Sequence, residues 1–219
     1  MVNKSGVDYT LYLVTDRSFL GQRDLAKSVK EAVLGGATLV QLREKDVSSL
    51  DFYVLAQKVK AVTDHYQIPL IINDRLDIAL AVDAAGLHVG QNDLPAAVAR
   101  RILGPDKILG VSAARLEEAL RAQEEGADYL GVGAVFPTAT KDDARAVVMD
   151  ELQKIKGSVT IPVVAIGGIN EQNLPALKET GIDGIAVVSA ILGKEDIRKA
   201  ARDLMKIMKK QFPSRSLPI

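Results

Sequence analysis

Short apolar runs recur along this chain, each closed by a few polar residues and followed by a stretch with helical spacing. The runs fall at 12–14, 39–42, 70–72, 86–89, 108–111, 129–132, 163–166 and 185–188. The polar groups that follow are Thr15-Asp16-Arg17, Arg43-Glu44-Lys45, Asn73-Asp74-Arg75, Gln91-Asn92-Asp93, Ser112, Thr138-Ala139-Thr140-Lys141, Gly167-Gly168 and Ser189. A strand covered on both faces loses the apolar/polar alternation, so continuous runs point to a parallel sheet. Eight strand–helix units of this kind predict an α/β fold, a (β/α)8 TIM barrel. Such barrels keep their chemistry at the C-terminal ends of the strands, where the polar groups fall.

Helical spacing covers 23–35, 48–65, 76–82, 93–103, 116–126, 170–181 and 196–209. Glycines at Gly35-Gly36, Gly126 and Gly181 stand where helices must end, because glycine takes the left-handed conformation at little cost. The interval from Val132 to Ile161 is long, with 136–148 preceding its helix, and long loops in compact domains are often functional. The pattern reads as one domain over 1–219, with its core at 9–211 and a loose, proline-containing tail at 212–219.

Composition narrows the function. The 219 residues are 47% hydrophobic, enough for a barrel and its surrounding helices. Lys+Arg and Asp+Glu are both 28, so there is no global electrostatic case for nucleic acid or an anionic membrane, and any anion site must be local. With no cysteine, disulfides, thiolate metal sites and cysteine nucleophiles are excluded. No stretch approaches the ~18 apolar residues of a membrane span. The opening residues 1–6 lack the apolar centre of a signal peptide, which makes the cytoplasm the expected compartment. Oligomeric state is left open, a homo-oligomer included.

Four groups at the expected working face carry candidate chemistry. Gln41, Arg43 and Lys45 alternate, which puts them on one face, and an arginine fork with an ammonium suits a polyanion. The alternative is an ion pair of Arg43 with Glu44 or Asp46. Asn73-Asp74 and Asp93 follow neighbouring strands about 5 Å apart; oxygen ligands without His or Cys suit Mg²⁺. Their alternatives are an Asp74–Arg75 pair and an N-cap for Asp93 ahead of Leu94-Pro95. Thr138, Thr140 and Lys141 offer several donors to an anion. Gly167-Gly168 and Ser189 follow the seventh and eighth runs, where barrels often hold a phosphate. His65 reads as solvated and His88 as a hydrogen-bonded core residue, neither with a catalytic role. Two facing anion sites suit an enzyme that joins or rearranges two phosphorylated small molecules.

The ordered motifs Leu11-Tyr12-Leu13-Val14-Thr15-Asp16, Gln41-Leu42-Arg43-Glu44-Lys45, Ile72-Asn73-Asp74-Arg75, Gly86-Leu87-His88-Val89-Gly90-Gln91, Gly110-Val111-Ser112, Phe136-Pro137-Thr138-Ala139-Thr140-Lys141 and Ala165-Ile166-Gly167-Gly168-Ile169 resemble the thiamine-phosphate synthase family over residues 9–192. The resemblance implies a transferase that joins hydroxymethylpyrimidine diphosphate to a thiazole phosphate and releases pyrophosphate. It implies that Gln41, Leu42, Arg43, Glu44, Lys45, Asn73, Ser112 and Lys141 hold the pyrimidine diphosphate, with Arg43, Lys141 and Ser112 catalytic. Thr138, Ala139, Thr140, Gly168, Val188 and Ser189 would surround the thiazole phosphate, and Asp74 and Asp93 would hold Mg²⁺. Three rivals are a thiazole tautomerase, a Schiff-base aldolase at Lys141 and a non-catalytic phosphate sensor. The tautomerase is expected to need a histidine where this chain has Ala113-Ala114.

Overall fold

The computed structural model describes residues 4–138 and 145–212. Every apolar run becomes a strand: β1 (Leu11–Val14), β2 (Leu39–Leu42), β3 (Leu70–Asn73), β4 (Gly86–Val89), β5 (Ile108–Ala113), β6 (Tyr129–Val132), β7 (Val163–Ile166) and β8 (Gly184–Val187). Each pairs in parallel with the next in sequence. β8 returns to β1 through Leu11↔Ile185 and Leu13↔Val187, so the sheet closes and no strand edge is left unpaired.

The continuity of the runs has a direct cause. Leu13, Val40, Leu42, Ile72, Leu87, Leu109, Leu130 and Ile185 point outward into the layer shared with the helices. Tyr12, Leu39, Ile71, Ile108, Tyr129, Val164 and Ala186 point inward and form a second apolar cluster inside the barrel. Both faces are dry, so both halves of each alternation are apolar. Gly110 makes room for the largest interior ring: a Cβ there would stand 2.1 Å from the Tyr129 side chain.

Around the sheet run α1 (Leu25–Gly35), α2 (Ser49–His65), α3 (Leu76–Ala81), α4 (Ala96–Leu103), α5 (Leu116–Glu124), α6 (Met149–Ser158), the four-residue α7 (Ser189–Leu192) and α8 (Ile197–Gln211). α1 ends where expected, and the division of labour between its two glycines is instructive. Gly36 takes the left-handed cap at φ 114°, while Gly35 lies inside the helix against α8, where a Cβ would meet the Arg198 carbonyl oxygen at 2.5 Å.

Two predicted helices differ. Residues 170–181 form a 3-10 helix over Leu174–Thr180. Ahead of it, Asn173 Oδ1 accepts the Asn170 N–H at 2.8 Å and Asn170 Oδ1 accepts the Gln172 N–H at 2.9 Å. These side chains compete with helical bonding, and Pro175 has no N–H to give. The helix expected from 93 begins only at Ala96, after Pro95. Asp93 does not cap it; its carboxylate accepts the Gly90 N–H at 2.7 Å. β5 runs two residues past its apolar run, which turns Ser112 into a strand residue paired with Gly131. The tail over 213–219 lies outside the described residues.

Candidate active site

The C-terminal ends of the strands surround a cavity of about 640 Å³. Inside the barrel, the inward-facing position on β2, β3 and β5 changes from apolar to polar as that end is approached, while Val14, Ile166 and Val188 keep β1, β7 and β8 apolar. Leu39 gives way to Gln41, Ile71 to Asn73, and Ile108, by way of Gly110, to Ser112. Period-two geometry keeps these residues on the interior face, and proximity to the mouth admits their polarity.

A buried relay of hydrogen bonds crosses the floor. Gln41 Nε2 donates to the Tyr12 hydroxyl at 2.8 Å, and that hydroxyl lies 2.8 Å from the Tyr129 hydroxyl. The Tyr129 hydroxyl is 2.9 Å from His88 Nδ1, and His88 Nε2 is 2.9 Å from Ser112 Oγ. Burial pushes the Tyr12 and Tyr129 phenols well above the ordinary tyrosine range, so both are neutral.

One wall, over β2 to β4, carries charge. Arg43, Lys45, Asn73, Asp74 and Asp93 all line the cavity. The Arg43 N–H donates to Thr15 Oγ1 at 3.0 Å, and its guanidinium reaches Asp16 at 3.2 Å rather than Glu44 or Asp46. Asp74 sits just past β3 in the left-handed region, at φ 59°, with its N–H on the His88 carbonyl oxygen at 2.8 Å. Such a conformation is uncommon outside glycine and occurs where the surroundings over-determine it, often at functional sites. Arg75 does not pair with Asp74; it pairs with Asp77 and donates to Ser49.

Asp74 and Asp93 therefore supply carboxylates from adjacent strand ends. Among the described residues no group of three or more His, Cys, Asp and Glu could hold a metal. Two carboxylates fit a cation that takes its remaining ligands from water and substrate phosphates, which is how Mg²⁺ is commonly held.

The opposite wall, over β7 and β8, is built from backbone. Gly167 and Gly168 have φ 101° and 65°, values that a side chain disfavours. A Cβ at Gly168 would meet the Pro137 carbonyl oxygen at 2.4 Å, so this turn lies directly against the segment after β6. The Gly168 carbonyl oxygen accepts from Asn173 Nδ2 at 2.9 Å. Thr138, Val188 and Ser189 complete this side of the cavity.

The structure thus brings Gln41, Arg43, Lys45, Asn73, Asp74, Asp93, Ser112, Thr138, Gly168, Val188 and Ser189 to one mouth. Leu42 and Glu44 are placed differently. The Leu42 side chain is buried outside the barrel, and Glu44 accepts from Arg17 Nε at 2.9 Å. Alternation sends both side chains away from the interior, and neither residue lines the cavity. Ala139, Thr140 and Lys141 lie outside the described residues. Arg145 lines the cavity and makes a two-point ion pair with Glu118.

Reasoning from residue types missed Tyr12 and Tyr129, and it read His88 as core only. All three line the cavity as well as being buried. The available signal was their inward register alongside Gln41 and Ser112.

Comparison with known proteins agrees with this geometry. The family model for thiamine monophosphate synthase matches residues 11–191. A thiamine-phosphate synthase of Clostridium tetani is 63% identical over 204 residues, covering 93% of this chain and 97% of that one. One from Alkaliphilus oremlandii is 63% identical over 198 residues, covering 90% and 95%. The solved thiamine phosphate pyrophosphorylase of Pyrococcus furiosus superposes with a TM-score of 0.87 at 45% identity, covering 94% of this chain and 98% of that structure. A barrel whose mouth carries these motifs, matched by the model over nearly its whole length, belongs to the thiamine monophosphate synthase family.

Proposed function

We propose that this chain is a thiamine-phosphate synthase that transfers the pyrimidinylmethyl group of hydroxymethylpyrimidine diphosphate to the ring nitrogen of a thiazole phosphate. The carbon–oxygen bond to the diphosphate breaks, pyrophosphate leaves with the electron pair, and the thiazole nitrogen forms the new carbon–nitrogen bond. The observation that supports this reading best is one cavity with two unlike walls, one carrying the charges of Arg43 and Lys45 at β2–β4 and the other glycine-built at β7–β8.

Arg43, Lys45 and Lys141 bind the diphosphate, and Arg43 and Lys141 offset the charge that develops on it as it leaves. Leu42 and Glu44 contribute backbone to the same segment. Gln41, Asn73 and Ser112 hold the pyrimidine. Asp74 and Asp93 would hold Mg²⁺, which supplies further neutralisation of the diphosphate. Gly168, Val188, Ser189 and the segment Thr138-Ala139-Thr140 hold the thiazole phosphate. Apolar side chains inside the barrel, such as Leu39, Ile71 and Val164, help keep water from the pyrimidinylmethyl cation, so that the thiazole nitrogen captures it. No step needs a strong general base.

Ala113 and Ala114 line the mouth just past Ser112, where the tautomerase reading expects a histidine. The chain works as a single domain in the cytoplasm; among the described residues no helix is long and apolar enough to cross a membrane. The test is to supply both substrates with Mg²⁺ or with EDTA and measure pyrophosphate and thiamine phosphate. Metal-dependent formation of both is expected. Binding of thiazole phosphate with no product under either condition would overturn the synthase reading.

A further inference from the structure

The relay on the barrel floor has a direction. Gln41 Nε2 can only donate, so the Tyr12 oxygen accepts from it. Tyr12 is 1% exposed, so its hydroxyl must place its own hydrogen on a protein acceptor, and the Tyr129 oxygen at 2.8 Å is there to take it. Tyr129, fully buried, then has its hydrogen left for His88 Nδ1 at 2.9 Å. An imidazole that accepts at Nδ1 carries its hydrogen on Nε2, which faces Ser112 Oγ at 2.9 Å. Ser112 Oγ accepts that bond, which leaves its own hydrogen for a partner other than His88.

We propose that His88 is a positioning residue, held by Tyr129 as the neutral Nε2–H tautomer, so that Ser112 acts as a hydrogen-bond donor to a ring nitrogen of the pyrimidine. This deepens the synthase reading and rests on it for the identity of the ring. The two ends of the relay then differ in sense. Ser112 presents a donor, and Gln41, with its amide nitrogen engaged below, presents its amide oxygen as an acceptor. An aminopyrimidine matches this pair, since it carries ring-nitrogen acceptors and an exocyclic amine donor. A charged imidazolium, or the other tautomer, would place a hydrogen between Nδ1 and Tyr129 and turn the chain around.

Relay packing supports a fixed ring. Tyr129 lies 5.5 Å from the His88 ring centroid at 39°, and a Cβ on Gly131 would stand 3.1 Å from His88 Cε1. The imidazole is therefore confined on the β6 side, and its rotation about χ2 would forfeit both hydroxyl partners.

The chain has two histidines, and His65 is exposed, so a nitrogen-15 spectrum of the imidazoles is readily assigned by comparison with His65→Gln. The expected wild-type spectrum shows His88 with a protonated Nε2 and a bare Nδ1. A protonated Nδ1, or an average of the two tautomers, overturns the proposal. Tyr129→Phe keeps the ring and removes the donor to Nδ1; it should mix the tautomers. It should also lower kcat/KM for the pyrimidine diphosphate about tenfold, the scale of one lost neutral hydrogen bond, while KM for thiazole phosphate stays unchanged. In a Ser112→Ala background the same substitution should cost nothing further, because the group it positions is gone. An additive loss would mean that Tyr129 acts through structure, and would overturn the proposal. If the wild type makes no thiamine phosphate, the synthase reading fails, while the tautomer spectrum still judges the relay; the two failures are separable.

Discussion

Under the proposed function the two walls of the mouth solve the same problem, holding phosphate, with opposite means. On β2 to β4 the anion site is made of side chains: Arg43 and Lys45, with Asp74 and Asp93 beside them. On β7 and β8 it is made of backbone freed by Gly167 and Gly168, with hydroxyls from Thr138 and Ser189. The difference suits the two proposed cargoes. A leaving diphosphate gains charge during the reaction and calls for groups whose attraction grows with that charge. A phosphate that stays on its thiazole needs only a fixed cradle, and preorganised N–H groups supply one without the entropic cost of ordering long side chains.

Substitutions that strip each wall should therefore fail in different ways. The largest expected effect is that of Arg43→Ala or Lys141→Ala, which should lower kcat at least about a hundredfold while thiazole phosphate still binds, as read by steady-state kinetics and calorimetry. Near-normal kcat in either variant would erase the distinction between the walls. Next comes Gly168→Ala. With φ 65° and a Cβ placed 2.4 Å from the Pro137 carbonyl oxygen, it should raise KM for thiazole phosphate and destabilise the fold by about 1–3 kcal/mol, measured by denaturant unfolding. A wild-type melt and KM would show that the cradle does not depend on that turn.

Smaller effects sharpen the contrast. Asp74→Asn or Asp93→Asn should raise the Mg²⁺ concentration for half-maximal rate about tenfold, with KM for thiazole phosphate unaltered; a metal titration decides it. The smallest effect is at the rim. Burial alone would push the Glu118 carboxyl up, but the Arg145 guanidinium and the Ala114 and Arg115 N–H groups hold it below the ordinary carboxylate range. A depressed folded value gives stability that is complete at neutral pH and is lost as pH falls through and below the ordinary carboxylate range. Because Arg145 is half-exposed, Glu118→Gln should cost only about 0.5 kcal/mol at pH 7, and the gap from wild type should close in acid. A pH-independent difference would assign the effect to packing.

The charged wall was legible from residue types, because Arg43, Lys45, Asp74 and Asp93 announce their chemistry wherever they stand. The glycine wall was legible only through its ordinal place after the seventh and eighth runs, since what matters there is the absence of a Cβ. Leu42 and Glu44 show the limit of reading a motif as a block: they lie between site residues in sequence, yet alternation turns their side chains to the helices and to Arg17. The relay was not legible at all as a unit. Tyr12, Gln41, His88, Ser112 and Tyr129 come from five strands, and nothing local in the chain ties them together.

What the sequence determined by itself is the periodicity: eight runs apolar on both faces, separated by helical spacing, admit few arrangements besides a closed parallel barrel. It also determined which residue types stand at the strand ends. Tertiary structure decided who meets whom across the interior. Barrel closure set the register that brings Tyr12 onto Tyr129 and His88 onto Ser112, and glycines at 110 and 131 made the space for those rings. Hydrogen bonds and packing act over a few ångströms in space, and partners tens of residues apart in the chain come that close only when the sheet closes.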